Sequence, residues 1–117
     1  MPQLIESPTR IPVPGGKLID EYVGRANSGT ADVSVAHMQA PAGWEEPAQT
    51  PDFDEVTLVL RGAVRVEHDG GTVSVSAGQA VLTRAGERVR YSVGPEGAEY
   101  VAVCLPAFDP EAAHRED

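Results

Sequence analysis

Apolar and polar residues alternate along much of the chain. Asp32-Val33-Ser34-Val35-Ala36-His37-Met38 repeats with a period near two, as does Ala63-Val64-Arg65-Val66-Glu67-His68. Thr72-Val73-Ser74-Val75 and Arg88-Val89-Arg90-Tyr91-Ser92-Val93 continue the rhythm. Successive side chains of a strand point to opposite faces, so the pattern predicts half-buried strands. Asp69-Gly70-Gly71 lies between two of these runs and predicts a hairpin turn. Breaks are expected at Pro14-Gly15-Gly16, Pro41-Ala42-Gly43, Ala77-Gly78, Ala85-Gly86 and Gly94-Pro95-Glu96-Gly97. About eight short strands at roughly 8–12-residue spacing predict an all-β sandwich or barrel.

Only Pro110-Glu111-Ala112-Ala113-His114 suggests a helix, with Pro110 suited to its first turn. The first 16 residues hold four prolines and read as an extended arm rather than a regular element. Arg115-Glu116-Asp117 reads as a frayed polar tail. With no repeat and no linker, one domain is expected: arm 1–16, barrel 18–105, tail 106–117.

Hydrophobic residues make up 41% and charged residues 23%, which is globular composition. No apolar run approaches the roughly 18 residues of a membrane span. Met1-Pro2-Gln3-Leu4-Ile5-Glu6 lacks the basic stretch of a signal peptide, so a cytoplasmic protein with no membrane partner is expected. The single cysteine, Cys104, excludes a disulfide framework and reads as a buried, inert thiol. A net charge of −9 opposes nucleic acid as a partner, because phosphate binding needs cationic surface. Gly15-Gly16-Lys17 lacks the spacing of a phosphate loop.

One spacing is specific. Gly43 is followed by Gln49-Thr50-Pro51, then Glu55, then Gly62; Gly78 is followed by Arg84-Ala85-Gly86 and Val89. These resemble the two motifs of the cupin superfamily, G-x5-H-x-H-x3-E-x6-G and G-x5-P-x-G-x2-H-x3-N. The runs Phe53 to Gly62 and Tyr100 to Ala107 are similar to small cupins of the ethanolamine-utilisation Q type. The resemblance implies a double-stranded β-helix, a jelly-roll-like barrel of two antiparallel sheets. It also implies a divalent metal held by three histidines and the glutamate. Here Gln49, Pro51 and Val89 occupy the histidine positions and only Glu55 remains. One carboxylate and one amide cannot supply the three ligands of a catalytic metal site, so no metal and no cofactor are expected.

Counting faces from the motif positions puts Val89, Tyr91, Val93, Thr57 and Val59 inside and Arg88 and Arg90 outside. Leu58 and Leu60 then point outward, which predicts a homodimer that covers them. The interior is expected to hold Gln49, Glu55, Thr57 and Tyr91, with His37 and Tyr100 as further candidates. Trp44 is either a lid at the mouth or an anchor for the arm. Arg84 is either a ligand-binding rim residue or the partner of a nearby acid. Two readings remain open for a small organic molecule as partner. One is a metal-independent enzyme with Glu55 as acid/base, helped by His37 or Tyr91, of the isomerase, cyclase, dehydratase or decarboxylase type. The other is a non-catalytic ligand-binding or assembly module. A metal-dependent enzyme with a site rebuilt from His37, Gln49 and Glu55 is the minority alternative.

Overall fold

Two long strands organise the molecule. The computed structural model describes residues 1–116. Its strands are β1 (Thr9–Ile11), β2 (Leu18–Val23), β3 (Ser34–Ala40), β4 (Asp54–His68), β5 (Gly71–Ser76), β6 (Ala80–Thr83) and β7 (Val89–Leu105), followed by helix α1 (Pro110–Ala113). Every strand pairing is antiparallel. The first half of β4 lies between β6 and the end of β7; beyond Gly62 its second half lies between β5 and the start of β7. The other edge of β7 carries β3, then β2 and β1. The path thus folds into two layers that share β4 and β7.

The fold between the layers falls at two glycines. Gly62 has φ +74° and Gly97 φ +71°, a region that side chains rarely enter. The register of β4 against β7 shifts beside Gly62. A methyl group on Gly62 would strike the Gly97 carbonyl oxygen, so the two backbones touch directly at the bend.

Side chains from both layers meet in one core that includes Val59, Val64, Val66, Val75, Val89, Tyr91, Val93 and Tyr100. The alternation in β4 and β7 is as counted from the sequence. Thr57 and Val59 are fully buried, whereas Leu58 and Leu60 are 42% and 48% exposed. A second cluster joins Phe53 and Cys104 to Ala113 of α1. Asp109 caps that helix by accepting from the Glu111 backbone N–H at 3.0 Å.

Several boundaries differ from expectation. The described residues form seven strands, because Gly94-Pro95-Glu96-Gly97 bends β7 rather than ending it. Proline is tolerated in a strand at such an irregularity, where no ladder hydrogen bond is lost. The arm is partly regular, since β1 pairs with β2 through Thr9↔Glu21 and Ile11↔Ile19. The tail is tied down through residue 116. The Glu116 N–H donates to the Ala48 carbonyl at 2.8 Å, and Arg88 pairs with the Glu116 carboxylate at 2.7 Å. Asp117, the last residue of the expected frayed end, lies outside the described residues. No helix among the described residues is long and apolar enough to cross a membrane.

Candidate functional site

Glu55 opens β4, and its alternation with Thr57 and Val59 aims it into the barrel. Its ladder partners are Thr83 on β6 and Cys104 on β7, which also face inward and are buried. Glu55 is half-buried as a whole residue, but its carboxyl is enclosed by the groups around it. No arginine pairs with Glu55 among the described residues; Arg84 goes to Asp54 at 3.4 Å and Arg88 to Glu116.

Three charged residues that the sequence reading did not place at the site surround it. Lys17, the chain's one lysine, enters from the turn that precedes β2 and is 9% exposed. Its Nζ sits 4.0 Å from the centre of the Trp44 ring and 5.2 Å from that of Tyr100, the arrangement of a cation over aromatic faces. Glu46 follows the Trp44 turn and pairs with Arg115 at 3.3 Å. The Arg115 guanidinium also donates to the Gln49 side-chain carbonyl at 3.4 Å.

This surrounding sets the titration of Glu55. Removal from water disfavours the charged carboxylate and raises its pKa, and Glu46 pushes in the same direction. Lys17, the Thr57 hydroxyl and Arg115 oppose this, and the outcome is a pKa pushed up to about 7. Burial likewise raises Glu46 against the pull of Lys17 and Arg115, and lowers Lys17 against the pull of Glu46 and Glu55. Tyr91, Tyr100 and Cys104 are raised by burial first and then by the nearby carboxylates, so all three stay protonated at neutral pH. Cys104 is thus a poor nucleophile. The Thr57 hydroxyl lies close enough to favour the charged form of Glu55, yet it is fully buried and finishes without a well-formed hydrogen bond.

Of the residues expected at the site, Gln49, Glu55, Thr57, Tyr91, Tyr100 and Trp44 are brought together around the interior. The Tyr91 hydroxyl meets Thr83 Oγ1 at 3.1 Å and Gln49 is held by Arg115, so neither is bonded to Glu55. Trp44 is buried against Gly15 and Lys17, which makes it an anchor for the arm's turn. His37 is not at the site. In β3 the residues facing inward are Ser34, Ala36, Met38 and Ala40, so His37 points outward and meets Glu99 at 2.6 Å. Both faces of β3 carry apolar residues, and parity from sequence could not choose between them. Arg84 is also outside, exposed beside Asp54.

The metal that the cupin resemblance implies does not fit this donor set. The three histidine positions hold an amide that is already bonded, a proline and a buried valine. His37 faces outward, His68 accepts from the Gly70 N–H at the hairpin turn, and His114 pairs with Asp52 at 2.7 Å. No group of three His, Cys, Asp or Glu able to hold a metal occurs among the described residues.

Two cavities lie away from Glu55. One of about 250 Å³ sits under the β7 bend beside Ala63, Arg65 and Ser74. Another of about 460 Å³ lies between the first residues and Asn27-Ser28.

Comparison with known proteins agrees with this architecture. The model of a family described as the AraC-binding-like domain matches residues 8–116. The chain is 49% identical over 107 residues to a Myxococcus xanthus (strain DK1622) protein named Endoribonuclease YbeY, over 91% of this chain and 36% of that protein. It therefore spans about a third of the length of that curated relative. Among solved structures, an ethanolamine utilization protein Q from Salmonella typhimurium LT2 is similar with a TM-score of 0.62 and 22% identity, covering 79% of this chain and 71% of that one. A variant of Bacillus subtilis oxalate decarboxylase is similar with a TM-score of 0.79 and 17% identity, covering 95% of this chain and 31% of that one. At these identities the two structures show the fold alone, and that fold is the cupin β-barrel.

Proposed function

The chain belongs to the AraC-binding-like domain family, and we propose that it is a small-molecule-binding cupin in which Glu55 moves a proton without a metal. The observation that carries this reading is the state of Glu55. It lies inside the barrel, with no arginine paired to it and a pKa pushed up to about 7. A carboxyl poised there can give a proton to a bound molecule or take one from it at neutral pH. The chemistry is then of the isomerase, cyclase, dehydratase or decarboxylase type. Tyr91 serves as a neutral hydrogen-bond group, because burial keeps it protonated.

A binding module without catalysis would use the same interior. It is favoured by the fact that Tyr91 and Gln49 are already satisfied by Thr83 and Arg115. The endoribonuclease name belongs to a protein of which this chain spans 36%, and a charge of −9 opposes a phosphate backbone here. Small-molecule fragments screened by amide NMR test the reading shared by both roles. Saturable shifts are expected at Glu55, Thr57 and Tyr100. Shifts confined to the outer cavity beside Arg65 would contradict it.

We also propose a homodimer through the outer face of β4. Val56 is the ladder neighbour of Leu82 and Val103, and Leu58 of Ala80 and Val101. With Leu82 at 48% exposure and Leu60 beside Leu58, an apolar face runs across three strands. Apolar faces of this kind mark interaction surfaces. Light scattering should give twice the chain mass of 12.4 kDa, and Leu58→Asp with Leu82→Asp should give single chains. A wild-type protein of one-chain mass at micromolar concentration would remove the dimer.

A further inference from the structure

We infer that the molecule bound in the barrel carries a carboxylate and that Lys17 holds it. This rests on the reading of the interior as a ligand site. Lys17 is the chain's one lysine, and it is buried rather than solvated. Among the described residues no carboxylate lies within 4.0 Å of its Nζ, because Glu46 is taken by Arg115 at 3.3 Å. Two aromatic faces cradle the ammonium, and the Glu46 and Glu55 carboxylates pull on it without forming an ion pair. A buried cation in that condition is costly unless an anion joins it.

The neighbouring groups restrict that anion. The Glu46–Arg115 pair is neutral as a unit, which leaves Lys17 and Glu55, and whenever Glu55 holds its proton the interior has one uncompensated positive charge. A second negative charge on the ligand would face Glu46 and the ionised form of Glu55 with no cation left to meet it. A monoanion fits where a phosphate dianion does not. A carboxylate also has two acceptor oxygens. One would accept from Lys17, and the other from the Thr57 hydroxyl, which is fully buried and has no partner.

The test compares acids with their amides, which match in shape and differ in charge. Acetate, pyruvate and benzoate are titrated against acetamide, pyruvamide and benzamide at constant ionic strength, with the emission of Trp44, the one tryptophan, as readout. At least one acid should bind about tenfold or more tightly than its amide, the scale of one charged hydrogen bond. Lys17→Gln should abolish that preference and Lys17→Arg should keep it. Equal binding of acid and amide would overturn the carboxylate inference while leaving the ligand site standing. A preference that survives Lys17→Gln would place the anion away from Lys17 and overturn it as well. Failure of every acid and amide to change Trp44 emission or the Glu55 and Thr57 amide signals would sink both the inference and the ligand-site reading. The acid–amide comparison is made on the wild-type protein, so it holds even if a Lys17 variant does not fold.

Discussion

Gly62→Ala is expected to cost at least about 3 kcal/mol and to lower the melting temperature by more than about 10 °C. Two effects add. Gly62 has φ +74°, where a side chain costs about 1–2 kcal/mol. The new methyl would also meet the Gly97 carbonyl and come within 3.1 Å of the Ala98 Cα, and these are backbone atoms that cannot rotate away. Moving them means moving Gly97, whose own Cβ position lies 2.7 Å from the Ala40 carbonyl oxygen. The bend through which β4 and β7 pass between layers would open. Gly29→Ala is the control, since Gly29 has φ +75° but nothing within 4 Å of its Cβ position. Thermal unfolding followed by circular dichroism should separate the two variants widely. Equal melting temperatures would show that the glycine contact does not hold the layers.

Glu55→Gln is expected to make the protein more stable at pH 8 and no more stable at pH 4. In the unfolded chain Glu55 titrates near 4.5, and in the folded barrel near 7. Between those values the folded state binds more protons than the unfolded one, so stability falls as pH rises through this window. The loss is complete above the folded value. It amounts to about 3 kcal/mol, because each unit between 4.5 and about 7 is worth 1.36 kcal/mol. Glutamine has the same shape and no charge to desolvate. Glu46 is raised in the same direction, whereas Asp20 and Glu116 are lowered by Arg10 and Arg88. The difference between wild type and variant isolates Glu55 from these. Urea midpoints across pH 4–8 measure it, and parallel curves would refute it. The same variant should reduce any turnover by about 10²–10⁴-fold, the usual scale of a lost acid/base.

How much of this was legible in the sequence depended on whether one strand face was distinctly polar. In β7, Arg88, Arg90 and Ser92 alternate with Val89, Tyr91 and Val93, and the buried set follows directly. In β4 the motif spacing fixed Glu55 as an inward position, and Thr57 and Val59 followed. In β3, Val35 and Ala36 are both apolar, so the face of His37 was open and the structure put it outside. Lys17, Glu46 and Arg115 were missed for another reason. They lie far apart in the chain and meet only because β2, the Trp44 turn and the tail converge on one end of the barrel. A lone lysine after two glycines carries no periodic signal. The one available hint was that a chain with eight arginines has a single lysine, and it follows a turn that leads into a strand.

The central claim is that the barrel holds Glu55 poised between its charged and neutral forms. Carboxyl-carbon NMR of the wild-type protein, titrated from pH 3 to pH 9, reads this directly. A Glu55 midpoint near 7 is the result expected from its burial and its neighbours. A midpoint at or below the ordinary value of 4.5 would make Glu55 a charged structural residue and contradict its role in proton transfer.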